Sequence, residues 1–75
     1  MTARQYSVVL IPNHPEQGYT VTVPALPGCV SCGDSFEEAL ENITDAISLY
    51  IHDCLKHGET VPDDRNLVVK VTVEV

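Results

Sequence analysis

The chain has 75 residues, 44% of them hydrophobic, which suits one small core and a single domain over residues 1–75. Eleven Asp and Glu against four Lys and Arg give a net charge of −7, and the cations (Arg4, Lys56, Arg65, Lys70) lie apart, so direct nucleic-acid binding through phosphate neutralisation is not expected. No apolar run approaches the ~20 residues of a membrane span, and Met1-Thr2-Ala3-Arg4 opens no signal peptide, so a cytoplasmic protein is expected.

Gln5 to Ile11 is rich in β-formers and ends at Pro12, and a polar connection follows from Asn13 to Gln17. Tyr19, Val21 and Val23 alternate with Thr20 and Thr22, the period of a half-buried strand. Pro27-Gly28 suits the central pair of a type II turn: proline presets φ at the first position and glycine takes φ > 0 at the second. Val30 to Cys32 reads as a short third strand, and Gly33 as a position of positive φ or close backbone approach just before Asp34-Ser35. Ser35 with Glu38 three residues on forms a capping box, in which each side chain answers an orphan N–H of the first helical turn.

The helix so opened is expected over Phe36 to His57. Phe36, Leu40, Ile43, Ile47, Tyr50, Ile51 and Cys54 fall in one stripe, with Ala39 and Ala46 on its border, opposite Glu37, Glu38, Glu41, Asp45, Ser48, His52 and Lys56. Lys56 and His57 suit the negative C-terminal end, and Gly58 is a ready C′ residue. Leu49 is out of phase, about 220° from Phe36 and inside the polar face; it reads as a singly exposed leucine or as a contact made only in a complex. From Asn66 onward Leu67, Val69, Val71, Val73 and Val75 alternate with Val68, Lys70, Thr72 and Glu74, which predicts a last strand.

The order β-β-β-α-β gives an α+β fold: an antiparallel meander, a helical crossover, and a fourth strand returning parallel to the first by the right-handed rule. One helix covers only one face of such a four-stranded sheet. Val9, Ile11 and Val68 fall on the uncovered face, which together with two edge strands predicts a docking or self-association surface and a homodimer or higher oligomer.

The ordered set Gly18-Tyr19, Val23-Pro24, Leu26-Pro27-Gly28-Cys29, Gly33-Asp34-Ser35 and Glu37-Glu38-Ala39 resembles the signature of the HicB family of bacterial antitoxins, over roughly Tyr6 to Leu55. The resemblance implies a partial RNase H fold with Pro27, Gly28, Gly33, Asp34, Ser35 and Glu38 in structural roles. It also implies a partner: HicA, a small basic toxin resembling double-stranded-RNA-binding modules, which cleaves mRNA using a histidine and is neutralised by steric occlusion. Many family members carry a C-terminal ribbon-helix-helix or helix-turn-helix domain. This sequence stops with its last strand at Val75, so a short form is expected, and the resemblance does not extend to operator binding.

Three constellations bear on chemistry of the chain's own. Cys29-Val30-Ser31-Cys32 spells C-x-x-C, but on a strand residues three apart point to opposite faces, which favours structural thiols over zinc or redox use; Cys54 and His57 share a helix face without a tie to that pair. Asp34, Glu37, Glu38, Glu41 and Asp45 run along the helix start and its solvent side, where they favour the helix dipole, whereas a Mg²⁺-dependent nuclease gathers carboxylates in a cleft. His14, His52 and His57 are tied to no nucleophile. The leading reading is a non-enzymatic binding protein with no catalytic residue, metal or cofactor, and Glu41, Asp45 and Leu49 as candidate partner contacts. The alternatives are a minimal RNase H-like Mg²⁺-dependent nuclease and a solitary thiol- or metal-responsive binding module.

Overall fold

The apolar–polar alternation resolves into three strands, β1 (Val9–Pro12), β2 (Tyr19–Thr22) and β3 (Val30–Gly33), in a computed structural model that describes residues 3–75. They form an antiparallel sheet in the order β1-β2-β3, with Val9 opposite Thr22 and Thr22 opposite Val30. The period of two then sorts the faces. Leu10, Val21 and Ser31 align across the inner face; Val9, Thr22 and Val30, with Ile11, Thr20 and Cys32, align across the outer one. As their parity predicts, Val9 and Ile11 are exposed there.

The connection from β2 to β3 folds back on itself. Cys29 N–H donates to the Leu26 carbonyl (3.0 Å) across Pro27-Gly28, and Gly28 takes φ +82°, as the second central position of a type II turn requires. Leu26 N–H donates to the Val23 carbonyl and Val23 N–H to the Cys29 carbonyl, so the loop is closed at its neck. Leu26 is thereby turned inward and fully buried, a plug at the end of the sheet.

The helix α1 spans Phe36–Lys56. Ser35 Oγ accepts from Glu38 N–H at 3.1 Å, while the Glu38 carboxylate reaches one residue further back than a standard box and accepts from Asp34 N–H. At the other end Gly58 (φ +66°) is the C′ residue of a Schellman motif: Gly58 N–H donates to the Leu55 carbonyl and Glu59 N–H to that of Cys54. The helix packs chiefly on β3 and less on β2. Val21, Val23, Leu26, Cys29, Ala39 and Ile43 form the buried core, ringed by half-buried Tyr6, Val8, Leu10, Tyr19, Ala46, Ile47 and Tyr50.

Of the two readings of Gly33, the structure selects close approach: it does not take positive φ, and a Cβ there would lie 2.4 Å from Ala39 N and 2.7 Å from Ala39 Cα. Two expectations change. Phe36 is 48% exposed, its ring meeting that of Tyr19 only edge-on at 6.4 Å. The segment read as a fourth strand pairs with nothing among the described residues. Leu67 is 86% and Val71 81% exposed, so the sheet has three strands, and the RNase H-like arrangement of four is not formed within the described residues. The radius of gyration, 14.3 Å, exceeds the about 11 Å of a compact chain of this length, as a segment extended from the body requires.

Ser35→Ala should cost about 1 kcal/mol through loss of the cap. Gly33→Ala should cost more, because neither the β3 backbone nor the helix backbone it meets can yield without moving the helix. Urea denaturation of the two variants measures the order; equal losses would contradict the close approach.

Candidate interaction surfaces

The outer side of α1 is the most acidic feature. Glu37, Glu41 and Asp45 are exposed, and the ion pairs among the described residues (Arg4–Asp63, His57–Asp53, Arg65–Asp63) include none of them. The Glu38 carboxylate, by contrast, is engaged at the cap, where it accepts from the Asp34 backbone N–H. Glu41, Asp45 and Leu49 follow one another at intervals of four along one flank. Leu49 is 70% exposed and borders a shallow depression of about 420 Å³ between α1 and the Gly28–Val30 turn, with Ala46, Tyr50 and Asp53 in its wall. The structure therefore sets the out-of-phase leucine beside the Pro-Gly-Cys turn and next to unpaired carboxylates.

A second, larger groove of about 760 Å³ lies on the opposite flank of the helix. Arg4, Tyr6 and Val8 form one wall, and Leu40, Ile47 and Ile51 the other. The sequence pattern reads these helix residues as core. In the structure Leu40, Ile47 and Ile51 are only half-buried, because the helix leans on β3 and three strands do not reach under its far side. The signal was present in the width of the stripe, which continues to Ile51 on this flank. The chain that follows the helix returns to the same place. Tyr6 Oη donates to the Pro62 carbonyl (2.6 Å), Arg4 pairs with Asp63 (3.1 Å), and Ser7 N–H donates to the Asp64 carboxylate. Donation from Ser7 N–H, and next from Asn66 N–H, holds the Asp64 carboxyl below its usual range.

The cysteines are free and separated. Cys29 is buried, and burial raises its pKa, which disfavours the reactive thiolate; Cys32 is exposed on the outer face of the sheet; Cys54 is buried on α1. The opposite faces expected for the C-x-x-C pair are therefore observed. Among the described residues no three His, Cys, Asp or Glu side chains converge as a metal-holding group. The histidines lie on different elements: His14 in the β1–β2 connection, His52 on the larger groove, and His57 at the helix C-cap. A hydrogen bond with the Asp53 carbonyl, and then the Asp53 carboxylate, raise the pKa of His57.

Residues 6–73 match a family model described as "HicB_like antitoxin of bacterial toxin-antitoxin system". The chain belongs to the HicB-like antitoxin family. It is similar to a UPF0150 protein of Synechocystis sp., with 45% identity over 62 residues covering 83% of this chain and 77% of the relative. A UPF0150 protein of Thermoplasma acidophilum is 46% identical over 61 residues, covering 80% of this chain and 86% of its own length. A third, from Helicobacter pylori, is 60% identical over a shorter stretch of 38 residues, about half of each chain. The family spans the strands, the capped helix and most of the C-terminal segment, so apart from Arg4 both grooves are built from HicB-like sequence. None of the helices among the described residues is long and apolar enough to cross a membrane.

Cys32 should be the one thiol to react quickly with a thiol-exchange reagent in the native protein, with Cys29 and Cys54 reacting only on unfolding. A Cys32→Ser variant should lose the fast phase. Two fast thiols would contradict the placement of Cys29 on the buried side.

Proposed function

We propose that this HicB-like chain is a binding antitoxin that neutralises a basic, HicA-like mRNA-cleaving toxin in the cytoplasm by covering it, as a homodimer or higher oligomer and without catalysis. The observation that carries the reading is the placement of Glu37, Glu41 and Asp45, exposed and outside every ion pair among the described residues, on a family antitoxin fold of net charge −7. Carboxylates spread down a helix face build a negative field, which steers a cationic partner into encounter and fixes its orientation. They do not build a cleft that would concentrate a metal ion around a scissile bond. Leu49 beside the Gly28–Val30 turn supplies the apolar anchor that a charged rim lacks.

The direct test is protection of RNA from the purified HicA-like toxin, with cleavage expected to stop at equimolar antitoxin. Reversing two charges, Glu41→Lys and Asp45→Lys, adds four units and takes the net charge from −7 to −3. Because both sites are exposed, fold stability should change by no more than about 0.5 kcal/mol each. Association with the toxin at low salt should slow by about tenfold, and raised salt should narrow the difference. Toxin activity undiminished by excess antitoxin, or RNA cleavage by the antitoxin alone that tracks Mg²⁺, would overturn the proposal.

A further inference from the structure

The larger groove and the C-terminal segment are complementary features of one chain that do not meet within it. Leu40 to Leu55 along the groove is sixteen residues of helix, about 22 Å over fifteen steps of 1.5 Å. Leu67 to Val73 in extended conformation covers about 20 Å at 3.3 Å per residue. The groove wall is apolar at Tyr6, Val8, Leu40, Ile47 and Ile51, and one parity of the segment is apolar throughout. Yet Leu67, Val69, Val71 and Val73 are each at least 69% exposed, and none lines the groove of its own chain.

The sheet presents the matching edge. Among the described residues β1 has a strand partner only on its β2 side. At the far edge Asn42 Nδ2 already donates to the Cys32 carbonyl of β3 (2.8 Å), so a helix side chain occupies an acceptor there. The chain also arrives at the β1 side pinned, through Tyr6–Pro62, Arg4–Asp63 and Ser7–Asp64. Just beyond, Asn66 N–H donates to the Asp64 carboxylate (2.9 Å) and turns the backbone at residues 64–66. After that turn the segment projects from the body, within reach of another molecule and away from its own groove.

We propose that two copies of this chain exchange their C-terminal segments, with Asn66–Val75 of each pairing along the β1 edge of the other and Leu67, Val69, Val71 and Val73 filling its groove. A two-fold arrangement satisfies both segments and both grooves with one set of contacts, and it removes an exposed alternating strand that would otherwise template aggregation. The inference is independent of toxin binding: it names the surface on which copies of the chain associate, whatever the acidic helix face contacts.

Sedimentation equilibrium of the full chain should give a dimer across the micromolar range, and the variant carrying Val69→Asp and Val71→Asp should be monomeric with its helical circular dichroism retained. Exchange is separated from other dimers by cross-linking in a Cys32→Ser background. A Val71→Cys chain co-expressed with a Ser48→Cys chain should give a covalent heterodimer on oxidation, since Ser48 lines the groove. A single chain carrying both substitutions should likewise cross-link between molecules. A monomeric wild-type chain, a disulfide that closes within one chain at monomer mass, a dimer without the mixed disulfide, or a dimer undiminished by the two aspartates would each overturn the proposal.

Discussion

Gly33 and Ala39 meet backbone to backbone, and the seating of the helix follows from that contact. A Cβ on Gly33 would stand 2.4 Å from the Ala39 nitrogen, so the end of β3 can touch the first turn of α1 only as glycine. Ser35 and Glu38 start the helix two residues after the strand, which leaves no slack to slide it elsewhere. Held at this point, α1 runs over β3 and β2 and buries Ala39 and Ile43. The centre of its buried stripe is thereby moved toward Ala39, a residue that the helical wheel places on the border.

The same seating leaves the other flank of the stripe uncovered. Leu40, Ile47 and Ile51 stand where a strand beside β1 would lie, and the segment with the right alternation extends away from them. The magnitude involved is large for so small a domain. Burying Val or Leu side chains contributes about 1.5–3 kcal/mol each, against a total stability of roughly 5–15 kcal/mol for an ordinary domain. Four such residues left in water, Leu67, Val69, Val71 and Val73, forgo an amount comparable with the whole net stability of such a domain. On the proposed exchange, self-association and folding share this surface, and the acidic flank with Leu49 is left for a different partner.

What could be read in the sequence was local. The Leu26-Pro27-Gly28-Cys29 turn, the Ser35 cap, the helix bounds to within a residue and Gly58 at C′ each depend on side chains within a few positions of one another. The separation of Cys29 from Cys32 followed from strand parity in the same way. The fourth strand was not legible, because alternation states which residues share a face but not which edge, or whose edge, they pair with. Gly33 stood open between positive φ and close approach until helix and strand were placed together. Phe36 carried the right phase but is covered only edge-on, by Tyr19, and stays half exposed. As candidate partner contacts, Glu41 and Asp45 were picked out by charge and Leu49 by phase; the adjacency of Leu49 to the Gly28–Val30 turn is a tertiary fact that no spacing encodes.

On the proposed exchange, a second copy completes the groove and the strand that the described residues of this HicB-like chain leave unsatisfied. Amide hydrogen exchange over residues 67–75, followed as the protein is diluted, tests this most directly, because protection in that segment requires hydrogen bonds that the described residues of its own chain do not provide. Protection at high concentration that disappears on dilution, while the amides of α1 stay protected, is the predicted result. Segment amides that exchange freely at every concentration, or that stay protected however far the protein is diluted, would contradict it.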